Sequence, residues 1–176
     1  LDILAVSPPG FAGASVAIAA GRAGFPGGVS LEHTDPQEGG RVVDRLVAAR
    51  VRFCLFLPRL DAAWWRVVES ASGCGLVRVV LTAPNLESLT GDVSRLRSLN
   101  VEAFVEATSE ESARAAQDSG ADGVVVEGGE SGGSVGEEPT FVLLQRVGRL
   151  LRIPILARGG VGLHSAAACL ACGAAG

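Results

Sequence analysis

Two carboxylates and a cluster of glycines hold most of the chemistry this sequence can offer. Glu106 follows the apolar run 101–105, and Glu127 follows the apolar run 123–126. Two carboxylates facing one cavity can share a proton and do acid–base work. Spacing alone does not bring them together, and pairing of one of them with Arg158 as a structural ion pair is the competing assignment. Directly after Glu127 come five glycines in nine residues: Gly128, Gly129, Gly132, Gly133 and Gly136. Glycine admits positive φ and lets another molecule approach the main chain. A ligand loop is therefore expected here rather than a plain turn, and Ser134 lies within it. A second pair, Gly159–Gly160, precedes a helical pattern and can present N–H groups to a phosphate. Gly173, in Gly173-Ala174-Ala175-Gly176, adds a third backbone-only stretch.

These residues need a scaffold that gathers strand ends, and the rest of the sequence supplies one. Short apolar runs at 1–6, 28–31, 51–57, 77–81, 101–105, 123–126 and 153–157 read as strands. Between them lie helical patterns at 15–23, 41–49, 62–70, 86–99, from Ser109 to before Gly120, at 140–151 and at 165–171. Asp61 and Ser109 stand where N-caps belong, with Ser112 at the position a capping box usually gives to an acid. Strictly alternating strands and helices predict parallel βαβ units. Seven such units fit an α/β fold of the (β/α)8 TIM type, incomplete here, with an open doubly wound sheet as the alternative. Residues 1–176 read as a single barrel domain, cut before its eighth strand and excised from a longer chain. Strands one and seven would then be exposed edges. A barrel binds its ligand at the C-terminal ends of its strands. That places Ser7, Pro8, Glu106, Glu127, the glycine loop and the Gly159–Gly160 turn on one face.

Composition narrows the choices. The chain has 48% hydrophobic and 19% charged residues, which suits a folded domain. Its net charge of -4 gives no basic footprint for nucleic acid, and no apolar run is long enough for a membrane span. All fifteen basic residues are Arg, so neither a Lys Schiff base nor a Tyr acid is available. Cys169 and Cys172 have CxxC spacing within an Ala-rich helical pattern. Packing is expected of them, not metal or redox work, and a reducing, cytoplasmic compartment fits. His33 lies close to the second strand's end, and His164 opens the last helix, where a solvated or capping role is expected. Trp64 and Trp65 are adjacent on one helix, about 100° apart. One is expected to be buried and the other exposed to solvent or a partner.

The stretch Gly120-Ala121-Asp122, an apolar run, then Gly128-Gly129-Glu130-Ser131-Gly132-Gly133-Ser134-Val135-Gly136 resembles the nitronate monooxygenase family, which includes flavin-dependent enoyl reductases. Ala157-Arg158-Gly159-Gly160-Val161 is similar to that family's flavin phosphate turn. The resemblance implies a barrel that binds flavin mononucleotide (FMN) through Ser7, Pro8, Gly128, Gly132, Gly133, Gly159, Gly160 and Gly173, and acts on a small-molecule substrate. It also implies three departures. Ser134 replaces the family's catalytic His, so no titrating base stands there. Glu106 replaces a basic residue that would stabilise the reduced, anionic ring, and Glu127 replaces a Gln. Ser134, Glu106 and Glu127 are the catalytic candidates, with flavin binding expected to be weak or absent and nitronate oxidation near background. A non-catalytic barrel that docks with other domains is the second reading. The N-terminal Pro8-Pro9-Gly10-Phe11 and the Ala-rich helix look like the version embedded in large modular polyketide synthases. A flavin-free lyase or isomerase would need a Lys or His base that is not found.

Overall fold

A computed structural model describes residues 2–11, 13–131 and 136–176. Seven parallel strands alternate with seven helices, as an incomplete (β/α)8 barrel requires. The chain divides into two compact units, Ile3–Ala103 and Phe104–Gly176, the second joined by Asp2.

In the first unit β1 (Ala5–Val6), β2 (Gly27–Ser30), β3 (Phe53–Leu57) and β4 (Leu76–Leu81) pair in sequence order, all parallel. Every residue of β3 is buried, as expected of a strand covered on both faces. The helices are α1 (Ser15–Arg22), α2 (Pro36–Ala48), α3 (Ala62–Ala71) and α4 (Leu86–Ser98). α2 begins at Pro36, five residues before the expected start. Asp35 accepts hydrogen bonds from the Gln37 and Glu38 amides, and Pro36 has the fixed φ that suits a first helical position. Asp61 caps α3 as predicted, accepting from the Ala63 and Trp64 amides. A side chain on Gly27 would overlap the backbone of Ala17, so α1 rests on β2 with main chain against main chain.

The expectation for the tryptophans is overturned. Trp64 and Trp65 are both buried, at 4% and 6% exposure. Trp64 lays its ring tip against Gly39 of α2, where no side chain stands in the way. Trp65 is covered by Arg95 of α4, whose guanidinium carbon lies 4.1 Å above the ring centroid. Glu69 pairs with Arg95 and holds it there. A long cationic side chain does the covering that a partner surface was expected to do.

β5 (Glu102–Ala107) runs from the first unit into the second. There β6 (Gly123–Glu127) pairs with β5, and β7 (Ile155–Arg158) pairs with β6. The helices are α5 (Glu110–Asp118), α6 (Thr140–Val147) and α7 (Leu163–Ala171). Ser109 and Ser112 cap α5 reciprocally, the Ser112 hydroxyl doing what Glu or Gln usually does. α7 ends in a Schellman motif: Gly173, at φ +96°, donates to Leu170 O while Ala174 donates to Cys169 O. The edge of β7 is not bare. Ala175 N donates to Ile155 O, Ala157 N donates to Gly176 O, and Asp2 N donates to Ala175 O. The stub after α7 therefore already takes a strand's place beside β7.

Candidate functional site

Side chains alternate between the two faces of a strand, and register decides which of them meet. Phe104 pairs with Gly123, Glu106 with Val125, Val125 with Leu156, and Glu127 with Arg158. Glu106, Glu127 and Arg158 therefore project from one face, close to the C-terminal ends of three adjacent strands. Arg158 Nη1 lies 2.8 Å from Glu106 Oε2 and 3.1 Å from Glu127 Oε2. The two carboxylates do converge, and they converge on one guanidinium. The catalytic and ion-pair assignments left open by the sequence thus fall on the same three residues. Glu106 and Glu127 side chains are 1% and 0% exposed, and that of Arg158 is 18% exposed. Reaching from β7 to β5, the Arg158 side chain crosses β6 and lies over Glu127. Among the described residues, Glu127 Oε1 has no hydrogen-bond partner. A buried acceptor left unpaired is costly, and such atoms collect at functional sites.

Arg158 is held at its backbone as well. Its carbonyl lies 3.1 Å from Thr140 Oγ1 and 3.3 Å from Ser131 Oγ, both hydroxyls placed to donate. Thr140, the first residue of α6 and 2% exposed, ties the glycine loop together. Its hydroxyl oxygen accepts from Gly128 N at 2.9 Å, and its amide donates to Glu130 Oε2 at 2.8 Å. Glu130 thereby caps α6 from ten residues upstream, where Pro139 offers no side-chain cap. Neither Thr140 nor the Glu130 cap was foreseen from the sequence. A hydroxyl residue next to a helix-opening Pro was the available signal.

The Thr140 amide and then Glu130's own amide hold the Glu130 carboxyl below its ordinary value, with help from the Thr140 hydroxyl. A carboxylate whose folded pKa is depressed contributes stability above its unfolded pKa. That contribution is lost as pH falls through the lower folded value. Hydrogen exchange at the Thr140 amide should therefore accelerate, beyond the intrinsic trend, as pH falls below the ordinary carboxylate range. Glu130→Gln should remove that acid step. An unchanged step in the variant would remove Glu130 from the latch.

The other predicted positions fall as follows. Gly159 and Gly160 have φ of +89° and +64°, where only glycine is comfortable. A side chain on Gly159 would overlap Ser131 Oγ, so the glycine loop packs directly on this turn. Gly160 is exposed, and so are residues 161–164 leading into α7. Gly128 lies buried against the N-terminus of α6. Gly173 serves the end of α7. In the first unit, Ser7 is buried and its hydroxyl accepts from Ser30 N at 3.1 Å, tying β1 to β2. Pro8 is exposed in the following turn, and His33 and His164 are exposed. Cys169 is buried and unpaired, and burial followed by the neighbouring Cys172 pushes its thiol pKa up, as suits packing. Gly132, Gly133 and Ser134 lie outside the described residues. No helix among the described residues is long and apolar enough to cross a membrane.

A flavin nucleotide offers a phosphate at one end and a ring N–H at the other. The exposed Gly160 backbone and the start of α7 suit the phosphate, and the orphaned Glu127 Oε1 suits the N–H. These residues fit such a group.

No curated protein matches the sequence. Among solved structures, FabK from Thermotoga maritima is 26% identical, with a TM-score of 0.83 over 98% of this chain and 56% of that one. Nitroalkane oxidase from Streptomyces ansochromogenes is 21% identical, with a TM-score of 0.77 over 97% of this chain and 62% of that one. A mandelate oxidase variant holding a monooxide FMN adduct is 20% identical, with a TM-score of 0.73 over 97% of this chain and 62% of that one. The chain thus spans less than two thirds of each of these three structures. The family model described as nitronate monooxygenase matches residues 59–176, more than half of the sequence. Together with the glycine loop and the strand-end cluster, that match establishes that the chain belongs to the nitronate monooxygenase family.

Proposed function

We propose that this chain is the barrel of an FMN-dependent oxidoreductase of the nitronate monooxygenase family in which nitronate turnover has fallen to near background. The observation that carries the reading is the Gly159–Gly160 turn before α7, with Gly160 exposed, next to the Glu106–Glu127–Arg158 cluster. When bound, flavin supplies the redox chemistry. This chain's own residues would hold its phosphate at Gly160 and place two carboxylates and a guanidinium at the strand ends. Ser134 can orient a substrate oxygen or a water, but it cannot act as a base near neutral pH. Binding is weak because the ring must compete with a side chain that both carboxylates hold in place. The substrate class is a small molecule, and the compartment is the cytoplasm.

The test is a titration of the full-length polypeptide with FMN, followed by visible absorbance and flavin fluorescence. Saturable binding with nitronate oxidation at the level of free FMN is the expected result. Absence of binding at millimolar FMN would end the flavin reading.

A second reading is a non-catalytic barrel within a multidomain polyketide synthase. It is favoured by α7, which carries no charged residue apart from His164 if protonated and leaves Leu163 94% and Leu170 42% exposed. Such a face suits contact with a neighbouring domain.

A further inference from the structure

We infer that Glu127 Oε1 is the recognition atom for a planar heterocycle bearing a ring imide N–H, and that Arg158 is the side chain such a ligand moves aside. The inference rests on the flavin reading and specifies which protein atom meets the ring. Three observations support it. Glu127 is fully buried, and among the described residues its Oε1 has no partner, whereas Oε2 is engaged by Arg158. A buried carboxylate oxygen accepts hydrogen bonds and cannot donate one while ionised, so the group that completes it is a donor. Glu127 is also the last residue of β6, on the strand-end face where barrels take their ligands.

Access follows from the same geometry. Arg158 crosses over Glu127 to reach Glu106, and it is the most exposed of the three. Its contact to Glu106 is the shorter one, so the guanidinium can lean toward β5 with that anchor kept. A ligand N–H then reaches Oε1 while Oε2 stays with Arg158. The isoalloxazine ring carries one imide N–H, at N3. A methyl group there removes the donor and adds bulk at the same point.

The test compares FMN with 3-methyl-FMN on the full-length polypeptide by flavin fluorescence, for the natural sequence and for Glu127→Leu. The natural sequence should bind FMN at least about tenfold more tightly than the methylated form, since a buried acceptor rejects a ligand that leaves it unpaired. Glu127→Leu should bind both equally, at the weaker level. If the natural sequence binds the two equally, the inference is wrong and the flavin reading stands. If it binds neither, both are wrong. Because the natural sequence alone decides the first comparison, misfolding of the variant does not rescue the inference. Retained discrimination in a folded Glu127→Leu would overturn the inference.

Discussion

Arg158→Leu is expected to destabilise the fold by about 3–5 kcal/mol, the range for removing one partner of a buried ion pair. The reason lies mainly with Glu127. Its carboxylate is wholly buried, and among the described residues Arg158 is its one hydrogen-bond partner. Removing the guanidinium leaves a charge in a low-dielectric site with nothing paired to it. The same guanidinium also serves Glu106 on the other side. Urea unfolding of Arg158→Leu, Glu127→Gln and the double variant gives the coupling. In the Glu127→Gln background, Arg158→Leu should cost less, because only the Glu106 carboxylate then loses the guanidinium. Equal costs in the two backgrounds would show that Arg158 stabilises the fold through something other than Glu127.

The second large effect is kinetic. Ser134→His in the full-length polypeptide, loaded with FMN, should raise oxidation of a simple alkyl nitronate by 10²–10⁴, the usual contribution of a positioned general base. The motivation is the Glu130-Ser131-Gly132-Gly133 stretch, which resembles the family's loop up to Ser134. Glu130 and Ser131 are both engaged, one on Thr140 and the other on the Arg158 carbonyl, so the start of that stretch is anchored. A natural sequence that already turns over as fast as the His variant would remove Ser134 from the account. Equal flavin loading must be confirmed by absorbance, so that a change in binding is not read as a change in rate.

Much of the fold could be read from periodicity, because a strand covered on both faces is a run of apolar residues, as in β3 and residues 124–126 of β6. The caps at Asp61 and Ser109 were legible for a local reason: their partners lie two or three residues away. The start of α2 was misplaced because Gly39 and Gly40 interrupt the apolar pattern, whereas the cap at Asp35 and Pro36 decides where the helix begins. The burial of Trp65 depends on Arg95, thirty residues along the chain, and no helical wheel contains that contact. In the site, Glu106, Glu127 and Arg158 could each be named in advance. That all three share one nitrogen depends on the register of three strands, which residue types do not specify. The Glu130–Thr140 latch was hidden for a similar reason, since it spans a ten-residue loop rather than one turn.

Both of the chain's tryptophans sit in α3, inside the unit Ile3–Ala103, and Phe104–Gly176 has none. Intrinsic emission is therefore a one-sided reporter. One indole is stacked beneath a guanidinium and the other is wedged against a glycine, so both signals change when α2, α3 and α4 separate. Events confined to the half that carries the glycine loop are dark at those wavelengths. Comparing the emission melt with the far-ultraviolet dichroism melt, which samples both halves, separates a single concerted transition from two successive ones without adding any label.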